Sequence, residues 1–460
     1  MTQNAPESAG NIVKFQISSN FTDYAVDLSA GVVDFRYYEN VLTNSVTATA
    51  TCVETGYQAD DKGGAAGKQS TVDGLPIRGG ERTDITIEDA YGNELTFEEG
   101  LYVNRLRDVD PGTSQDVYFL DFASKEFFAN EQTRVVKRYE GNIGDNVEKI
   151  LKDVLKVEAD IEIDNTAAPY NFIGNDRKPF YICTWLASKS IPEVTTEDGK
   201  SGKGGAAGYL FFQTRDGYHF RSIDKIFTGE PKKKFIFNNS TQLPEGYDAK
   251  VLTYDINSDI DVGKNLMMGM YNNRSIFFDP LAFNYEVRSF PKAEVPQVEG
   301  DIVVDEIPTE DEYLEKTQNA AEEPVGKLIP DEFRQSPTRF MSFVLDTGVM
   351  PSGITSQEQL NTWSSEKAKD NFDVKETMSQ SIMRYSQLFT VKTEITIPGD
   401  FTIKAGDVIQ CDFPDLSGSE VKGVNTETKG IYMVASVCHR ITPTSSNTSL
   451  SLVRDSFGGK

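Results

Sequence analysis

The 460 residues contain only two histidines, His219 and His439. A metal centre or an acid–base dyad needs an imidazole beside a thiolate or a carboxylate, and Cys438 adjoins His439 in the chain. Gly430 to Cys438 alternates as a strand does, which sends adjacent side chains to opposite faces. The two cannot converge on one ion, and His439 is expected at a strand end as a surface or interface residue. Asp255, Asp259 and Asp261 in YDINSDIDVGKN are spaced like calcium-loop carboxylates, but the central glycine and the closing glutamate are missing. A solvated strand terminus is expected there. The loop Gly199 to Gly208, GKSGKGGAAG, looks like a phosphate cradle, yet no glycine stands five residues before Gly199 and no helix-forming sequence follows its lysines. The string KGGAAG also occurs at Lys62 to Gly67, and both copies read as hairpin tips with little apolar area to hold them. Glu98–Glu99 and Glu322–Glu323 could supply paired carboxylates for glycoside hydrolysis, but they stand in turns with no aromatic platform nearby in sequence. Neither Gly-x-Ser-x-Gly nor His-Glu-x-x-His occurs. The expectation is no catalytic residue, no metal ligand and no cofactor: a structural chain, not an enzyme.

The elements that would carry these residues are mostly strands. Phe389, Val391, Thr393, Ile395 and Ile397 share one side of a period-two pattern, and 408–413, 430–438 and 448–454 continue it as an antiparallel meander or small barrel. The same order occurs earlier. Gly79 to Ile87 stands where Ala405 to Cys411 stands later, Gly100 to Asn104 matches Gly430 to Val434, and Asp110 to Leu120 matches Thr442 to Leu452. This repeat of about 50 residues implies two similar barrels in one chain, unless two hairpin-rich stretches align by chance. Between them, Asp145 and Glu148 have capping-box spacing ahead of a stripe of Val147, Ile150, Leu151, Val154 and Leu155. A second helix is expected over 179–189 with Pro179 in its first turn, then a hairpin through Asp216-Gly217. Val374, Met378, Ile382 and Tyr385 lie on one helical face. The fold class expected is mainly β with an α+β insertion: two antiparallel β-barrels plus a small α+β domain. The boundaries are 1–140 for the first barrel, 141–235 for the α+β unit, 236–290 and 388–460 for the two parts of the second barrel, and 291–387 for an acidic insertion with a short helix at 309–316 and a connecting helix.

The composition sets limits on function. With 46 basic and 71 acidic residues the net charge is −25, which opposes gripping of nucleic acid phosphates but not passage of DNA along the protein. Four cysteines, Cys52, Cys183, Cys411 and Cys438, are too scattered for a disulfide framework. Cys411 and Cys438 are candidate neighbours inside one barrel. MTQNAPESAGN lacks the basic and apolar regions of a secretory signal, and no apolar run approaches the roughly 20 residues of a membrane helix. Cytoplasmic assembly is therefore expected.

The whole order of segments resembles a known family. The β region ending near DVYFLDFAS, the α+β unit, GKNLMMGMYNNRSIFFDPLAFNYEVRSF and the terminal FTVKTEITIPGDFTIKAGDVIQCDFP, GIYMVASVCHRI and TSLSLVRDSF resemble the central baseplate hub protein of contractile-tailed bacteriophages, the T4-like hub family. The points of likeness are Gly269-Met-Tyr271 with Asp279, the helix ending at Tyr385, and the turns at Gly406-Asp407 and Gly430-Ile-Tyr432. The likeness spans most of 12–290 and 375–457. It implies a homotrimer whose two tail-tube-like barrels per copy make a pseudo-sixfold ring, with a tail tube protein above, a central spike below, baseplate wedge proteins as further neighbours, DNA passing through without specific binding, and a place in the virion. The long acidic excursion 291–370 departs from a minimal hub. Competing readings are a tail tube or spike-associated protein, for which 141–235 would have no place, and a cell-wall-binding or cell-wall-degrading module.

Overall fold

The computed structural model describes residues 10–21, 23–55, 59–60, 68–112, 115–167, 169–193, 207–238, 242–258, 262–269, 273–279, 284–290, 339–344, 374–389, 391–414, 424 and 429–454. The two KGGAAG tips (apart from Ala207 and Gly208), Asp259, Asp261, Tyr271, Glu322–Glu323 and the helix expected at 309–316 lie outside them.

The first part of the chain runs through Asn11–Ser18 (β1), Ala25–Asp27 (β2), Val32–Asn40 (β3), Thr47–Glu54 (β4), the short pair Ala59–Asp60 and Lys68–Gln69 (β5, β6), and Thr71–Gly74 (α1). It continues through Arg82–Glu88 (β7), Glu94–Thr96 (β8), Leu101–Pro111 (β9), Asp116–Ala123 (β10) and Lys125–Gln132 (α2). Alternation decides which side is buried: Ala48, Ala50, Cys52 and Glu54 of β4 face the core, while its threonines point the other way.

The middle part holds Arg138–Tyr139 (β11), Ile143–Lys149 (α3), Asp160–Ile163 (β12), Phe172–Ile173 (β13), Pro179–Ala187 (α4), Tyr209–Thr214 (β14), Gly217–Ser222 (β15) and Ile223–Phe227 (α5). The stripe of Val147, Ile150, Leu151 and Leu155 is buried as the spacing requires. The helix starts one turn early, with Asn142 at its N-cap, so Asp145 lies in the first turn instead of capping it, and Ile150–Val154 widens into a π-turn. α4 keeps Pro179 in its first turn, where a missing N–H costs nothing. β12, β15 and β14 form a three-stranded sheet in that order. Its hairpin turns through Arg215 and Asp216, with Thr214 opposite Gly217. Gly217 adopts φ +146, and a Cβ there would lie 2.0 Å from the Asp160 carbonyl oxygen of the parallel strand beside it.

The last part holds Lys234–Ile236 (β16), Ala249–Lys250 (β17), Thr253–Ser258 (β18), Val262–Met267 (α6), Asn273–Asp279 (β19), Asn284–Phe290 (β20), Arg339–Val344 (β21), Val374–Leu388 (α7), Val391–Pro398 (β22), Val408–Asp412 (β23), Gly430–Ile441 (β24) and Ser446–Val453 (β25). β18 pairs with β22, whereas β19 and β20 join β21 in a separate three-stranded sheet.

The two expected barrels do not form. Among the described residues fifteen strands make one open sheet, ordered β17-β16-β23-β24-β3-β4-β10-β9-β7-β1-β2, with β25, β22, β18 and β8 branching from it. The reason lies in β24. Its C-terminal half pairs with β3, from Ser436 opposite Asn40 to Ile441 opposite Phe35, so the edge that would close the second unit joins the first instead.

Within that sheet the repeat is a repeat of pairing. β3-β4-β10-β9-β7 and β18-β22-β25-β24-β23 are the same antiparallel order in the same chain sequence. Both carry a bulge at the same place: Asn104 is passed over between Val103 opposite Phe122 and Arg105 opposite Asp121, and Ala435 between Val434 opposite Leu452 and Ser436 opposite Ser451. Both are entered by a glycine–acid turn. Gly80 (φ +83) donates its N–H to the Val103 carbonyl and Gly406 (φ +84) to that of Val434. The Glu81 carboxylate accepts from the Arg78 N–H, and that of Asp407 from the Lys404 N–H. Val103 therefore corresponds to Val434, one residue away from the match the sequence suggested.

Gly217→Val is expected to lower unfolding free energy by about 2 kcal/mol or more, because the new carbon must push β12 and β15 apart. Urea denaturation with an unchanged midpoint would contradict the close approach.

Candidate functional site

The residues singled out for chemistry do not gather. His219 is stacked on Phe212 and hydrogen-bonded through Nδ1 to Glu162 at 2.9 Å and through Nε2 to Thr214 at 2.8 Å. That hydrogen bond is the main reason the Glu162 carboxyl is held below its usual range. His439 lies elsewhere and, contrary to expectation, is buried: β24 lies inside the sheet at this point and the face that carries the ring is covered by Phe401. Its ring lies parallel to that of Tyr37 and meets Phe401 edge-on, with Nδ1 at 2.9 Å from Thr448 Oγ1. Cys438 does point the other way, as alternation demands. Cys411 and Cys438 are not neighbours, because Cys411 pairs with Gly430, eight positions before Cys438 on a strand that rises about 3.3 Å per residue. All four thiols are free. Asp255 sits in β18 opposite Glu394, and Glu99 pairs with Lys125 at 3.4 Å. Among the described residues no group of three or more His, Cys, Asp or Glu could hold a metal ion, and no helix is long and apolar enough to cross a membrane.

What the structure does build is a junction and a pair of edges. At the junction, Glu39 of β3 is buried and accepts from the Tyr37 hydroxyl, the Arg215 N–H and the Ala405 N–H, each at 2.9 Å. One carboxyl group thus ties the first unit, the α+β hairpin and the second glycine–acid turn. Burial pushes its pKa up and the two backbone donors oppose that. Lys404 and Asp216 pair beside it, and Arg440 Nε reaches Asp34 at 3.0 Å across the β24–β3 joint. Val41, Leu210, Phe212, Leu388, Ala405 and Met433 fill the apolar space between the units. Glu39 was not singled out from sequence, although Phe35, Tyr37 and Glu39 alternate onto one face and an acid at a core position is itself a signal.

α7 also packs on the junction, and its most buried side lies about a quarter-turn round from the Met378, Ile382 and Tyr385 face. Thr377, Gln380, Ser381, Arg384 and Leu388 are buried, while Met378, Ile382 and Tyr385 are half-buried. The docking surface is backbone and charge: the Gln380 carboxamide accepts from the Ala207 N–H, the Tyr385 hydroxyl from the Tyr209 N–H, and Arg384 pairs with Asp224.

The edges follow from the repeat. β24 uses its C-terminal half to receive β3. Its counterpart β9 pairs β10 on one side from Arg105 onward, and among the described residues no strand lies on the other side. The counterpart of β3 is β18, which among the described residues pairs only β22. The described residues therefore carry one filled joint and the two open halves of a second.

No family model and no curated protein sequence matches the chain. Among solved structures it is similar to a tail protein from Neisseria meningitidis MC58 (9% identity, 96% of each chain, TM-score 0.49). It is also similar to the 43 kDa tail protein of prophage MuSo2 from Shewanella oneidensis (8% identity, 96% of this chain and 98% of that one, TM-score 0.47). A third is an Escherichia coli component of the type VI secretion system with structural similarity to the T4 tail proteins gp27 and gp5 (8% identity, 97% of this chain and 79% of that one, TM-score 0.42).

Burial holds the His439 pKa down at about 3, with the Arg215 charge adding to it and Asp400 opposing. The unfolded chain binds this proton below about pH 6.5 and the folded one does not until about 3, so stability falls by about 1.4 kcal/mol per pH unit as pH drops through that window. Urea titrations at pH 6 and 5 are expected to show this slope, and to show it reduced in His439→Gln. An equal slope in both proteins would remove His439 from the acid response.

Proposed function

We propose that the chain is the structural hub of a contractile phage tail baseplate: a homotrimer that adapts the sixfold tail tube to the threefold central spike and lines the channel through which DNA passes. The carrying observation is the half-filled repeat of joints. Two like units are linked by β24–β3, and the same joint is left open as β9 on one unit and β18 on the other. Adding copies head to tail repeats the internal joint between molecules, and a heterologous contact of this kind closes into a ring when the rotation allows. Three copies present six like units, which is how a threefold object meets a sixfold one. The sequence resemblance supports the same reading, with the tail tube protein, the spike and wedge proteins as neighbours and the virion as location. A net charge of −25 suits a wall that a polyanion must pass without sticking. Nothing in this role requires catalysis.

Superposing the pairings sets the register between copies. Val437 lies opposite Glu39 in the filled joint, which places Leu106 of one copy opposite Ser258 of the next. The variant Leu106→Cys, Ser258→Cys, treated with a short bismaleimide, is expected to give covalent species of two and three chain masses and none larger. A ladder extending past three opposes the closed trimer. A full-length protein that stays monomeric by mass measurement even with tube and spike partners added would end the hub reading.

A further inference from the structure

The sheet β20-β19-β21 has two unlike faces. Asn273, Ser275 and Phe277 point inward and are buried, and the Phe277 ring stacks on that of Phe343. The pairing register puts Arg274, Ile276 and Phe278 of β19 on the other face, with Tyr285 and Val287 of β20 and Phe340, Ser342 and Val344 of β21 beside them. Five of these are large apolar side chains open to solvent: Tyr285 is 57%, Phe340 63% and Val344 72% exposed, with Ile276 and Phe278 near 40%. Contiguous apolar exposure over three adjacent strands marks an interaction surface.

We propose that this face is covered by a second copy of the chain, so that copies meet through it as well as through the β9 and β18 edges. The proposal rests on the ring reading above. Two observations choose the occupant. The first is charge. Copies carrying −25 each repel, and association is least opposed where acids are absent. None of these eight residues is acidic, and the one charged group among them, Arg274, lies over the Phe340 ring with its guanidinium 5.6 Å from the centroid. Depletion of charge with aromatic enrichment is the composition of an interface centre. The second is continuity. β19 follows β18 after only the short helix α6, and Met267 and Met268 at the end of that helix are exposed too. The strand proposed to pair with the neighbouring copy thus leads directly into the apolar face.

Hydroxyl-radical footprinting of the full-length protein, dilute and concentrated, tests this together with Phe340→Asp. Tyr285 and Phe340 are expected to react freely in the dilute monomer and to lose at least threefold in reactivity as the oligomer forms. Phe340→Asp is expected to raise the midpoint concentration of association at least tenfold, while Tyr91→Asp, at an exposed site away from this face, leaves it unchanged. An oligomer in which both rings stay reactive overturns the proposal and spares the ring. Rings already protected in the dilute monomer are covered by their own chain, which also overturns it. A protein monomeric at every concentration overturns both.

Discussion

One strand has to satisfy three neighbours. Gly430–Met433 of β24 pairs with β23, Ser436–Ile441 pairs with β3, and the opposite edge pairs with β25 from Met433 to Ile441. Every backbone N–H and C=O in a buried strand needs a partner, so the identity of the strand at each half of β24 decides the architecture. Had the second half been met by its own unit, two separate closed modules would follow. Because it is met by β3, the sheet is continuous and open, and the core of the first unit takes in Phe401 and Ile441 from the second.

Polar groups hold the joints in register. Glu39 and the Arg384–Asp224 pair are removed from water almost completely. Taking such groups out of water is costly, and breaking one partner away is costlier still, so buried ionic and carboxyl contacts discriminate between arrangements more than they add to stability. An apolar contact tolerates a shift of one residue better than a carboxylate that must find two particular backbone donors. The glycine–acid turns do the same work within each unit: the positive φ at Gly80 and Gly406 aims the N–H at Val103 and Val434, and the following acid fastens the loop behind it.

What could be read from sequence was local. Period-two alternation located the strands, the 3.6-residue stripe located α3, and the order of turns revealed the duplication, since each of these depends on residues close together in the chain. Closure could not be read that way, because the choice between a barrel and an open sheet turns on which remote strand reaches β24. The same limit hid the polar side of α7. Its apolar spacing marked Tyr385 and its neighbours, while Gln380 and Arg384 are buried because α7 also meets the backbone at Ala207 and the carboxylate of Asp224, which favour amide and guanidinium groups. His439 was expected at the surface or an interface because Phe401, which covers it, comes from a loop that the strand's own sequence does not reveal. Glu39 stood in plain view as an acid in a core-facing position, and only its distant partners explain it.

The joint between β3 and β24 also sets a schedule. The Arg440–Asp34 contact spans 406 positions of sequence, and a ribosome adding about 5–20 residues per second needs roughly 20–80 s to cover that distance. Throughout that interval the amino-terminal unit exists with β3 synthesised and its proper neighbour not yet made. A bare strand edge is a template for any other strand, including β3 of another nascent chain on the same message. Until β24 emerges that edge is open to such mispairing, and completion of the sheet waits on synthesis of the last strands.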